Sequence, residues 1–172
     1  TWSYLKTTLK TQKSIEQKTD IQQNGISILS RLTDDITQVF IIDSYQKLTL
    51  FKGDQEELTF TSLSHDSPDP NGHESEEAKI TYALDSDPDA KNTSTKVLTR
   101  KEVPYFTPIN EKDDAYKPMI VAHGVKDLQF SYSSDGLKYV NDWDTTSGDH
   151  PNKLPLLVKI SFTISDDNDR EE

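Results

Sequence analysis

The apolar residues of this chain change period once, and that change limits the fold more than any other feature. Residues 1 to about 40 hold no Pro and one Gly, with apolar side chains at Trp2, Leu5, Leu9 and Ile15, then at Ile28, Leu29, Leu32, Ile36, Val39 and Phe40. Steps of three and four place such residues along one side of an α-helix. From Gln46 onward the step is two, as in Lys47 to Lys52 and in Glu57 to Leu63, with Gly53-Asp54-Gln55-Glu56 between them as a hairpin turn. Further alternating runs are Ala78 to Leu84, Thr95 to Arg100, Lys126 to Tyr132 and Leu156 to Ile164, and Ser133 to Gly136 reads as a turn. One helical segment followed only by antiparallel strands predicts an α+β fold.

Within the helical segment the two halves differ. Only Ile21 is apolar between Glu16 and Asn24, and Asn24-Gly25 is a poor helix interior that invites a kink or break. The expectation is a long N-terminal helix whose second half docks on the sheet and whose first half projects. Ile28, Leu29, Leu32, Ile36 and Phe40 are then expected in the core with Leu58, Phe60, Ile80, Tyr82, Val97, Leu128, Phe130, Tyr132, Val158, Ile160 and Phe162. Trp2, Leu5, Leu9 and Ile15 have no obvious core to cover, so they are candidates for contact with neighbouring helices.

At 172 residues the chain fits one domain: a helix over 1–40, a β head over 41–165 and an acidic tail over 166–172. Its apolar content of 32% supports a modest core with long polar loops, two of which are expected at His65 to Glu77 and Thr107 to Lys117. The formal net charge of −11 disfavours nucleic acid and anionic lipid as partners. With no Cys, the chain has no disulfide, thiolate metal site or cysteine nucleophile. It starts at Thr1 in mid-helical pattern, and the simplest reading is a piece of a longer protein.

The sequence offers three kinds of candidate chemical site. Asp85, Asp87 and Asp89 have the one-three-five spacing that opens a calcium loop. Ala90 and Lys96 stand where such a loop needs Gly and a bidentate acid, so a solvated turn is preferred. His65, His73, His123 and His150 are far apart and lack helical metal-ligand spacing, and no Gly-x-Ser-x-Gly elbow is present. The chain is therefore read as not an enzyme and as needing no cofactor, with calcium the weak exception. A carbohydrate-binding β module, stacking sugars on Tyr105, Tyr116, Tyr139 or Trp143, is the rival from another class.

Several stretches carry a resemblance that spans nearly the whole chain. They are Arg31-Leu32-Thr33-Asp34-Asp35-Ile36, Leu58 to Leu63, Ile80 to Leu84, Val97-Leu98-Thr99-Arg100, Gly124 to Tyr132 with Trp143 downstream, and Leu154 to Ile160. In order and spacing the chain resembles the J-type minor pseudopilins of type II secretion. Tyr139 stands where that family usually has Trp, and the acidic insertion at 66–77 is a second departure. The resemblance implies a pilin-like fold with a long N-terminal helix, continuing a deleted membrane anchor, packed on one or two antiparallel sheets. It implies a periplasmic domain anchored in the bacterial inner membrane. Its implied partners are the I- and K-type minor pseudopilins and the H type, in a complex at the pseudopilus tip that starts assembly for exoprotein secretion. A minor pilin of a type IV pilus shares the same helix and sheet and stays open as an alternative.

Overall fold

The computed structural model describes residues 22–43, 49–64, 77–88, 96–104, 116–147 and 150–164. Residues 22–37 form the helix α1. Seven strands follow: β1 (Phe51–Gly53), β2 (Glu57–Ser62), β3 (Ala78–Ser86), β4 (Lys96–Pro104), β5 (Met119–Ser133), β6 (Trp143–Asp144) and β7 (Leu157–Ile164). They make one antiparallel sheet in the order β6-β1-β2-β3-β4-β5-β7, with no separate second sheet among the described residues.

Alternation sorts the sheet into a covered and an open face. The pairings Phe51↔Phe60↔Ile80 and Leu58↔Tyr82↔Arg100 run straight across β1 to β4, so these side chains share one face. Phe60 stacks between Phe51 and Tyr82, with ring centroids 6.3 and 6.5 Å away, and Phe51 meets the edge of Tyr132 at 5.8 Å. Leu32 of α1 is buried in this layer, and Ile28 and Ile36 pack against it, one or two turns apart along the helix. Val97, Leu128, Phe130 and Tyr132 are also buried, while Val158, Ile160 and Phe162 of the last strand are partly buried against the cluster.

The sheet curls because β5 serves two neighbours. Its first half pairs with β4 and its second half with β7, and the change falls at Gly124, whose φ is 68°. A positive φ costs Gly no steric clash, so the corner is built into the sequence. Curling brings β5 back to the β1–β2 turn, where the Phe130 amide donates to the Gln55 carbonyl at 2.9 Å and the Tyr132 hydroxyl donates to the Asp54 carbonyl at 2.9 Å. The Asp54 carboxylate holds the same turn by accepting from the Glu56 and Glu57 amides.

Several expectations are corrected. α1 runs through Asn24-Gly25 without a break, because Gly25 lies over β7, with Phe162 and Ile164 just under 4 Å from where a Cβ would stand. Tertiary packing there outweighs the weak propensity. The helix stops at 37, and Val39 and Phe40 turn into extended chain that bonds to Thr61 and Ser62, so Phe40 is half-buried outside the core cluster. Leu29 is 37% exposed, since it sits at the margin of the face carrying Leu32 and Ile36. Asp85 belongs to β3, paired with Val97, and not to a turn. β5 begins seven residues before Lys126, at Met119. Residues 1–21 of the expected rod, most of both expected loops and the 166–172 tail lie outside the described residues.

The closure of the curl predicts a sharp cost at Gly53. A Cβ there would collide with Tyr132 Oη and stand 2.8 Å from Leu58 Cδ1. Gly53→Ala is expected to lower the unfolding free energy by about 1–3 kcal/mol, read as a lower midpoint in urea denaturation.

Candidate functional site: the seam between helix and sheet

The apolar face of α1 is interrupted by one acid. Asp35 follows Leu32 by three residues, so its carboxylate enters the layer that Leu32 fills, and it is 2% exposed. The sheet answers with Arg100, also 2% exposed, whose Nε lies 2.7 Å from Asp35 Oδ2. The Tyr82 hydroxyl, one strand over and in register with Arg100, donates to the same carboxylate oxygen at 2.7 Å. Arg31, one turn earlier on α1, approaches the other oxygen at 3.7 Å from the solvent side. Glu102 accepts from Arg100 Nη1. The Ser62 hydroxyl on β2 donates to the Asp35 carbonyl at 2.8 Å, satisfying a backbone acceptor in the last helical turn.

The two acids beside Arg100 hold its charge in the buried layer. Burial works against the Arg100 charge, but hydrogen bonds to Asp35 and Glu102 outweigh it and raise the guanidinium pKa. Burial pushes the Tyr82 phenol above its ordinary value, and donation to Asp35 adds to the shift. Such a seam can hold and orient a helix.

The other sequence candidates are dispersed. Asp85 accepts from Thr99 Oγ1 at 2.8 Å across the β3–β4 ladder, Asp87 pairs with His123 Nδ1 at 3.5 Å, and Asp89 lies outside the described residues. Among the described residues no group of three His, Asp or Glu is placed to hold a metal ion. The sugar-platform reading meets a direct obstacle: Trp143 is 2% exposed, stacked on His150 at 3.6 Å, with its indole N–H donating to the Lys153 carbonyl. Tyr116 is half-buried, Tyr139 is exposed, and Tyr105 lies outside the described residues. So do Trp2, Leu5, Leu9 and Ile15, but α1 exposes Ile26 at 68% beside Leu29, on the flank turned away from the sheet. No described helix is long and apolar enough to cross a membrane.

Sequence reasoning named Arg31, Asp35 and Arg100 only as parts of separate stretches and missed that they meet. The signal was present: an acid on an apolar helical stripe and an Arg at an inward position of the β4 strand each need a buried partner of opposite sign.

A helix seated by a buried ion pair on a curled antiparallel sheet defines an α+β packing module. Its family is given by the match of residues 3–171 to the type II secretion system (T2SS) protein J family, to which this chain belongs. That family is a structural component of secretion, a minor pseudopilin, and the match favours type II secretion over a type IV pilus. Comparison with curated proteins gives no match.

Two outcomes follow from the seam. Arg100→Met leaves Asp35 buried without its partner and is expected to cost about 3–5 kcal/mol, whereas the double variant Asp35→Leu/Arg100→Met costs less than the single one; denaturant titrations of the three proteins check this. The raised phenol pKa of Tyr82, and that of Tyr132 raised chiefly by burial, contributes stability that is complete below the unfolded tyrosine value of about 10. It is lost as pH rises toward the higher folded values. Absorbance titration should therefore show Tyr82 and Tyr132 ionising after the exposed tyrosines, together with alkaline unfolding.

Proposed function

We propose that this chain acts as the J subunit of a pseudopilus tip complex, packing side by side with the I- and K-type minor pseudopilins and the H type to start pseudopilus assembly in the periplasm. The observation that carries the reading is the family match, joined to the apolar flank of α1 that the sheet leaves uncovered. Ile26 and Leu29 lie on that flank, and in the sequence Ile15 precedes Ile26 by eleven residues, a distance that a helix would cover in about three turns. Trp2, Leu5 and Leu9 extend the supply of apolar side chains toward the N-terminus. Burying such strips between subunits supplies the association energy, and polar contacts between heads supply its specificity. The seam at Asp35 supports this role by fixing which flank of the helix faces outward.

The test is sedimentation velocity on this domain mixed with soluble I- and K-type domains at roughly 10–100 µM. A heavier species is expected, and it should weaken in Ile26→Lys and Leu9→Lys variants that keep the native circular dichroism spectrum. No heavier species across that range rejects the tip-complex reading.

A further inference from the structure

The two borders of the sheet are unequal. β6 is two residues long, whereas β7 runs for eight and is hydrogen-bonded on one side only, to β5. Among the described residues nothing pairs with its outer border. In an antiparallel pair every second residue points its N–H and C=O away from the neighbour, so β7 offers a row of unsatisfied donors and acceptors. Its ladder with β5 is regular from Leu157 to Thr163, and the single register shift, near Val125, leaves this run untouched.

Folded proteins usually guard such a border with Pro, bulges, several charges or short length. β7 has no Pro, no acid and a single Lys in eight residues. Its inner face carries Val158, Ile160, Phe162 and Ile164, all still half-buried, so the sheet ends with apolar surface that one more strand would cover. Its outer face carries Leu157 and Lys159. Lys159 Nζ stands 6.0 Å from the Tyr139 ring centre, and Leu157 lies against Gly136, next to the exposed Leu137. This end is therefore apolar, with Lys159 as the one charge on β7, on a chain whose formal net charge is −11.

We infer that the free border of β7 is a strand-acceptor site for an extended segment of a partner protein in which apolar residues alternate with acids. Main-chain bonding supplies affinity, apolar side chains cover Ile160 and Phe162, and an acid opposite Lys159 sets the choice. A second copy of this chain fits less well: its own β7 brings no acid to Lys159, and both copies carry the same net charge. This site is separate from the helix flank discussed above and does not depend on it.

Two synthetic peptides test it, Thr-Val-Glu-Val-Glu-Ile-Thr-Val and the same sequence with Lys for both Glu, each with blocked ends. Backbone amide exchange is followed by NMR on the wild-type domain and on Lys159→Glu, an exposed substitution that leaves the core intact. Protection of outward amides in 157–164 by the Glu peptide is expected, with about fivefold tighter binding than the Lys peptide and the reverse preference in Lys159→Glu. Absence of β7 protection with either peptide overturns the site. Protection without a charge preference, or concentration-dependent dimers with β7 protected in the absence of peptide, overturns the proposed occupant.

Discussion

The ion pair between Asp35 and Arg100 decides where the helix sits. Apolar contacts alone, such as those of Ile28, Leu32 and Ile36, tolerate a helix sliding or rotating by a fraction of a turn, because oily surfaces are only weakly directional. A buried carboxylate shared by a guanidinium and a phenol does not tolerate it, since any slip strands a charge in an apolar layer. The seating is reinforced at the helix end, where the Ser62 hydroxyl holds the Asp35 carbonyl and Val39 bridges to Ser62. A pseudopilin that packs through its helix needs that helix presented in one rotation.

The sheet depends on a second set of constraints. β5 bends at Gly124, and its far half returns to the β1–β2 turn, where Tyr132 reaches over Gly53 to the Asp54 carbonyl. The covered face thus becomes concave and wraps the aromatic cluster instead of leaving it as a flat layer. A helix lying in that hollow makes contact with β2, β3, β4 and β7 through residues spread along α1.

Local features were readable and long-range ones were not. Alternation located β2, β3, β4 and β7 to within a few residues because apolar residues recur at every second position along each of them. It lost the first half of β5, where Met119-Ile120-Val121-Ala122 is apolar on both sides and the strand passes through a glycine corner. Asn24-Gly25 misled for the opposite reason: propensity disfavours helix there, but packing of the helix over Phe162 and Ile164 of β7 outweighs it. At the seam, the need of Asp35 and Arg100 for partners was visible. Which partners they find depends on strand register across β2, β3 and β4, and no local pattern encodes that. Trp143 looked like a platform because sequence gives no sign that His150 covers it.

Closure also sets an order of events. Phe51 and Thr145 exchange backbone and hydroxyl hydrogen bonds across a separation of 94 residues, and β5 finds its second neighbour only in β7, near the end of the described chain. Contacts so distant close late, because the entropy of the intervening loop must be lost before they form. A chain emerging N-terminus first would hold its helix and early strands as an unfinished bowl until the last strand arrived. Maturation of this head is thus tied to synthesis of β7, and a product stopped before that strand would display its aromatic lining to proteases and chaperones.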